Sequence, residues 1–192
     1  FRTLLDDSSI DAVMVSTPDH SHVPISIAAL RKKKDVCCEK PITKSIAEGR
    51  RLVGEVASNR RVFRVDSEAR LKTSFCKAAD VVRNGRIGKL VSIEVGVPTD
   101  HATGGLPGTM PVPDELDSDT GLGPAAEAPY PVNRVHPHKA YSRPGWMRMQ
   151  DYDDGMITNW GAHLLDIAHW GAVLERNGPV KVEGKGLFPK DE

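Results

Sequence analysis

These 192 residues hold no glycine-rich phosphate loop, no C-x-x-C pair, no apolar run long enough to cross a membrane and no net charge. Each absence excludes a class of protein. Basic and acidic side chains number 26 each, so no excess charge is offered to nucleic acid or to an anionic membrane surface. Three cysteines are an odd count, and two are adjacent; that argues against a disulfide framework or a zinc knuckle and fits reduced thiols. No window approaches the roughly 20 apolar residues of a membrane span, and no signal peptide is visible. The stretches nearest to a phosphate loop, "GRIGKL" and "TGGLPG", lack the strand–turn–helix setting and read as turns. What remains is ordinary for a soluble globular chain, 39% apolar and 27% charged. It opens on Phe1 rather than Met and closes on "GLFPKDE" just past an expected strand, so it reads as the middle of something longer. Its ends therefore say nothing about targeting.

What is present is an alternation. "IDAVMVS" (Ile10 to Ser16), "DVCCE" (Asp35 to Glu39) and "RRVFRVD" (Arg60 to Asp66) are short, Val-rich apolar runs that read as buried parallel strands. Between and after them come helices. "VPISIAALRKK" (Val23 to Lys33) sets Ile27 and Leu30 at helical spacing. "SIAEGRRLVGEVASN" (Ser45 to Asn59) opens on a Ser45/Glu48 capping box, and "TSFCKAADVVRNGRIG" is stopped by Asn84-Gly85. Three rounds of strand and helix mean βαβ units on a parallel sheet with right-handed crossovers. The loops "STPDHSH" and "EKPIT" both follow strands, so both lie on the carboxyl edge, where open α/β sheets bind ligands. Lys40 is thereby placed at a binding edge close to His20 and His22.

After Gly88 the texture changes. "KLVSIEVGVP" alternates as a strand with one buried face should. Nine of the fourteen prolines fall between Pro98 and Pro144, in a stretch that carries Tyr130, Arg134, His136, His138, Tyr141 and Arg143; an ordered functional loop is expected there. A helix from about Thr158 to Glu175 and a closing strand, "VKVEGKGLF", follow.

Two groups of residues carry chemistry. A lysine beside a redox cofactor can relay the proton of a hydroxyl, because burial and neighbours tune its pKa; Lys40 could equally be a solvated residue after a strand. Asn159, His163 and Asp166 stand four and three apart and share one helix face. A histidine held by an acid is a competent general acid/base, and a capped core-edge histidine is the plainer alternative. Metal binding is not expected. His163 and His169 are six apart, about 120° round a helix, and cannot chelate together. From the residues alone the reading ends at an α/β ligand edge with a lysine and a histidine.

In order along the chain, "IDAVMVSTPDHSHVPISIAAL", "DVCCEKPIT", "VVRNGRIGKLVSIEV" and "DDGMITNWGAHLLDIAHWG" resemble the glucose–fructose oxidoreductase/inositol dehydrogenase (Gfo/Idh/MocA) family, over nearly the whole chain from Leu5 to Gly186. The resemblance implies the C-terminal half of a Rossmann-type parallel sheet in residues 1–88, without its Gly-rich loop. An incomplete α/β domain with a mostly antiparallel sheet is implied in residues 89–192, including a Pro-rich loop over 98–150. It implies NAD or NADP as cofactor, with Thr17, Pro18, His22, Glu39, Lys40 and Pro41 on the nicotinamide side. Lys40 is implied as the catalytic lysine, His163 as the acid/base histidine and Asp166 as the acid that follows it. Asn159 stands where aspartate is common; an amide can orient a hydroxyl but cannot accept its proton. Ser118 and Gly121 stand where sugar-acting relatives carry aromatics.

The implied activity is hydride transfer between a secondary alcohol of a sugar or polyol and nicotinamide. The partners implied are that small molecule and, when full length, further copies of the chain as a homo-oligomer, with neither nucleic acid nor membrane. The compartment stays open, with the cytoplasm favoured. Two rivals stand beside this reading. One is a cofactor-recycling enzyme that cleaves glycosides, and the other a non-catalytic ligand-binding or assembly relative.

Overall fold

A computed structural model describes residues 1–98, 108–131 and 145–186. At its centre is a three-stranded parallel sheet in the order β1 (Ala12–Val15), β2 (Asp35–Glu39), β3 (Phe63–Asp66). The register sets Val13 beside Val36 and Val36 beside Phe63. The expected alternation is therefore present, with each strand shorter than its apolar run.

One face of the sheet carries the core. Helix α2 (His22–Arg31) buries Val23, Ile27, Ala29 and Leu30 against Val15, Val36 and Cys38, each large side chain contributing about 1.5–3 kcal/mol. Helix α3 (Ile46–Asn59) packs beside it and adds Leu52. The α3 capping box forms: the Glu48 amide donates to Ser45 Oγ, and the Ser45 amide to Glu48 Oε2. On the other face Met14 is 60% exposed, so among the described residues the strands are covered on one side only. A short helix that the sequence pattern did not announce, α1 (Arg2–Asp6), precedes β1. Its exit is pinned by Lys34, a buried side chain whose Nζ donates to Asp7 O at 2.6 Å and Ile10 O at 2.7 Å.

Helix α4 (Thr73–Arg83) ends at Gly85, whose φ of +68° completes a Schellman turn. In the Pro-rich stretch, α5 (Ser118–Leu122) is capped by Asp117, and Thr109 bridges Pro131; Tyr130 is buried there. Arg134, His136, His138, Tyr141 and Arg143 lie outside the described residues.

Two expectations are corrected. Residues 89–98 and 180–186 form no strand. Neither finds a partner backbone among the described residues, and an unpaired extended segment leaves its N–H and C=O groups to water and its apolar face uncovered. Val91 and Val182 are accordingly 88% and 80% exposed. The mostly antiparallel second sheet is thus not formed by these segments. The single helix expected from Thr158 to Glu175 is two: α6 (Met156–Asn159) and α7 (Gly161–Gly171), broken at Trp160. It stops early because Val173, at φ +60°, closes a Schellman turn in which Leu174 N–H bonds His169 O and Val173 N–H bonds Trp170 O. Helix α7 packs on α4 and on the turn Glu68–Leu71.

Candidate active site

Both edge loops leave the carboxyl ends of β1 and β2, and one side chain joins them. His22 is 1% exposed; its Nδ1 lies 2.7 Å from Pro41 O and its Nε2 2.9 Å from Thr17 O. The first residue of α2 is therefore a strut that fixes Thr17-Pro18 relative to Lys40-Pro41. Glu39 Oε2 accepts the Lys40 amide at 3.3 Å. The adjacent thiols play no such part. Cys37 and Cys38 are free, and burial pushes the Cys38 thiol up to about 11, so it stays protonated.

Lys40 reaches across to α6. Its Nζ donates to Asn159 O at 3.0 Å and Asn159 Oδ1 at 2.9 Å, and Asn159 is buried. The turn before α6 is held by Asp153, whose Oδ1 accepts from the Gly155 amide at 2.9 Å and from Thr158 Oγ1 at 3.4 Å. A few residues further on, α7 brings His163 to the same place. Burial first, and the Lys40 charge second, hold its imidazole below the ordinary histidine value; its Nδ1 is buried without a hydrogen-bond partner. The ring meets Trp160 edge-on at 6.2 Å.

Asp166 is placed elsewhere. Arg70 grips it with two hydrogen bonds of 2.6 and 2.7 Å, and Ser67 Oγ stands 3.5 Å away. The geometry brings Lys40, Asn159 and His163 together and gives Asp166 to the guanidinium. Arg70 was missed in the sequence because it lies 96 positions from Asp166, with no shared period to announce it. Asp19 and Asp153, each buried, also escaped notice. The His20 amide donates to Tyr152 O at 3.1 Å and sets their two turns side by side, and burial followed by the Asp153 charge raises Asp19 to about 8. The one legible hint was an acid two residues before a glycine at a helix start.

A cavity of about 530 Å³ opens beside Lys40, lined by Pro41, Ile42, Thr43, Val65, Ser67, Arg70 and Asp166 among others. A larger hollow of about 720 Å³, nearly all apolar, adjoins it under α3 and shares Ile42, Thr43 and Val65. On the other side, α5 approaches the β1 loop closely: Leu122 O lies 3.0 Å from His20 Nε2. Gly123, at φ +54°, makes the approach possible, since a Cβ there would stand 3.0 Å from Ser21 Oγ. His20 stacks on Tyr152 at 4.5 Å. Among the described residues no three His, Cys, Asp or Glu side chains converge as metal ligands would, and no helix is long and apolar enough to cross a membrane.

A dinucleotide's nicotinamide end fits these residues: an amphipathic cavity at the carboxyl edge, the buried and unpartnered Thr17 hydroxyl, and an ammonium at its rim. Comparison with known proteins bears on the fold and the cofactor class. A model of an oxidoreductase family with an NAD-binding Rossmann fold matches residues 1–67, and the same family's C-terminal alpha/beta domain matches residues 91–187. Inositol 2-dehydrogenase 2 of Saccharopolyspora erythraea is 32% identical over 168 residues, which cover 87% of this chain and 36% of that protein. Myo-inositol 2-dehydrogenase of Thermotoga maritima is 33% identical over 86 residues, 45% of this chain and 26% of that protein. The chain thus spans about a quarter to a little over a third of these relatives' lengths. Among solved structures, an NAD-binding protein from Listeria innocua superposes with a TM-score of 0.56 at 22% identity, covering 87% of this chain and 37% of that one; this is a likeness of fold.

Proposed function

Since the chain belongs to the Gfo/Idh/MocA family of NAD-binding oxidoreductases, we propose that it carries the proton-handling side of an enzyme that moves hydride between a secondary alcohol of a sugar or polyol and a nicotinamide dinucleotide. The observation that carries this reading is the Lys40 ammonium, held on both oxygens of Asn159 at the mouth of a 530 Å³ cavity on the carboxyl edge.

When bound, the cofactor supplies the hydride acceptor at C4 of its ring. This chain's residues do the rest. Pro18, Thr17 and Pro41, fixed by His22, form the wall against which the ring would rest. Lys40 Nζ gives or takes the hydroxyl proton, and the two Asn159 oxygens aim it. His163, neutral near pH 7 by burial, can accept a proton at its open Nδ1. Asp166 keeps Arg70 folded along the cavity wall rather than acting on the imidazole. The relatives are inositol 2-dehydrogenases by name, which makes cyclitols the first substrates to try. The test is alcohol-dependent formation of reduced nicotinamide, followed by absorbance, across a panel of inositols and hexoses with NAD and NADP. Saturable cofactor binding without turnover on any alcohol would overturn the reading.

A further inference from the structure

Asp19 opens the turn after β1, and Asp153 lies in the turn before α6. They are 4% and 2% exposed, each has an Oδ2 with no hydrogen-bond partner, and the His20 amide donates to Tyr152 O at 3.1 Å, which sets their two turns side by side. Two carboxyls held side by side away from water favour keeping one proton between them, because a carboxylate is an acceptor only and two adjacent carboxylates repel. The charged groups around the pair do not replace that proton. Lys44 is engaged by Gln150 O and by Asp154 at 3.7 Å, and Lys40 donates to Asn159. Both lysines act on Asp19 only as the smaller, opposing influences. His20 is itself held below the ordinary histidine value by burial, and Cys38 stays a thiol. Asp153 moves in the same upward direction as Asp19, again chiefly through burial.

The pair sits where it can set the site. Asp19 belongs to the loop that His22 ties to Lys40, while Asp153 Oδ1 receives the Gly155 amide and the Thr158 hydroxyl. Thr158 is followed at once by Asn159, whose two oxygens hold Lys40. We propose that Asp19 and Asp153 share one proton and act together as a positioning pair for the Lys40–Asn159 contact, so that the geometry of that contact depends on pH. This rests on the reading of Lys40 as the proton-handling group, yet the shared proton can be observed without turnover. Losing it puts two negative charges in contact, and the turn carrying Asn159 is pushed away from the β1 loop.

The sign of the effect follows from linkage. A folded value near 8 against an ordinary 3.8 means that the folded state binds the extra proton between those limits. Stability is fully present below the ordinary value and falls as pH rises toward about 8. His20 and His163 act with the opposite sign, since folded values below the ordinary 6.5 make stability rise with pH, so a decline as pH rises belongs to the pair.

The test is a carboxyl titration by NMR of protein labelled with ¹³C at aspartate, from pH 4 to 9, in the wild type, Asp19→Asn, Asp153→Asn and Asp153→Leu. Two resonances, assigned by their loss in the Asn variants, are expected to move together with a late midpoint near 8, and the Asn159 side-chain amide signals to follow them. In Asp153→Asn the amide donates the bond permanently, so the Asn159 signals stay put and the thermal midpoint no longer declines from pH 6.5 to 8.5. In Asp153→Leu they are displaced at every pH. Ionisation of both carboxyls below pH 5 overturns the shared proton, and Asn159 signals that ignore the carboxyl titration overturn the positioning role. A late paired titration in a protein that turns over no alcohol leaves the pair standing and removes the oxidoreductase reading instead.

Discussion

Lys40 Nζ lies 3.0 Å from the main-chain oxygen and 2.9 Å from the side-chain oxygen of Asn159, a residue 119 positions away. That contact closes the carboxyl edge of the sheet against α6 and makes a single unit of two segments that sequence alone leaves apart. It also yields the most direct prediction. Lys40→Met removes the ammonium that would exchange a proton with a bound hydroxyl while keeping the volume of the stem. Turnover of the reactive alcohol is expected to fall by roughly 10²–10⁴-fold, with nicotinamide dinucleotide still binding saturably by fluorescence titration. Unchanged turnover removes Lys40 from the chemistry.

Much of this was legible beforehand because it is local. The Val-rich runs, the Ser45/Glu48 box and Asn84-Gly85 each depend on neighbours within a few residues, and the structure forms them. Lys40, Asn159 and His163 could be singled out one by one. Their convergence could not, since it depends on how α6 lies across the sheet edge. The Arg70–Asp166 and Asp19–Asp153 pairs are likewise long-range, and period arguments are blind to them. The alternation in residues 89–98 is real, yet a strand needs a partner, and among the described residues none is offered.

His163 and Asp166 lie one helical turn apart but answer to different partners. Asp166→Asn is therefore expected to leave the His163 imidazole titration in place, and to lower stability by no more than about 1 kcal/mol, because the Arg70 pair is about a third exposed. His163→Phe should instead change the acid side of the stability curve. Burial holds the folded value below 6.5, so the stability linked to this group is complete above pH 6.5 and lost as pH falls below it. The substitution flattens that decline. Histidine ring NMR and thermal unfolding between pH 5 and 7 read both effects, and a His163 titration that moves in Asp166→Asn would restore the acid–histidine pair.

Lys34 is a buried lysine that makes no carboxylate ion pair among the described residues. Its ammonium is consumed by two carbonyl oxygens, Asp7 O and Ile10 O, at the exit of α1. Lys34→Met keeps most of the apolar stem and removes the donor from both carbonyls; Asp7 O keeps the Ile10 amide at 3.4 Å, so the Ile10 carbonyl is the one left unsatisfied, at about 1–3 kcal/mol. Chemical denaturation should show a loss of about 1–3 kcal/mol, together with faster amide exchange across residues 5–10. A loss below about 0.5 kcal/mol would mean that water reaches those carbonyls.

Helix α7 ends in the same hydrogen-bonded turn as α4, with a different residue at its left-handed position. At α4 that residue is Gly85, φ +68°; at α7 it is Val173, φ +60°. A β-branched side chain there crowds the following carbonyl at a cost of about 1–2 kcal/mol, which glycine avoids. Glycine in turn loses more backbone freedom on folding, by roughly 0.5–1 kcal/mol. Val173 is 55% exposed, so removing its side chain forfeits little packing. The balance favours Val173→Gly by up to about 1 kcal/mol, equivalent to a rise of about 2–4 °C in Tm for a chain of this size. The reciprocal exchange, Gly85→Val, should lower Tm by a similar amount, since the added Cβ meets nothing within 4 Å and the penalty is purely one of backbone conformation. If both substitutions lower Tm, the Val173 side chain contributes more through contact than its left-handed backbone costs, and the turn at α7 is held by packing rather than tolerated despite strain.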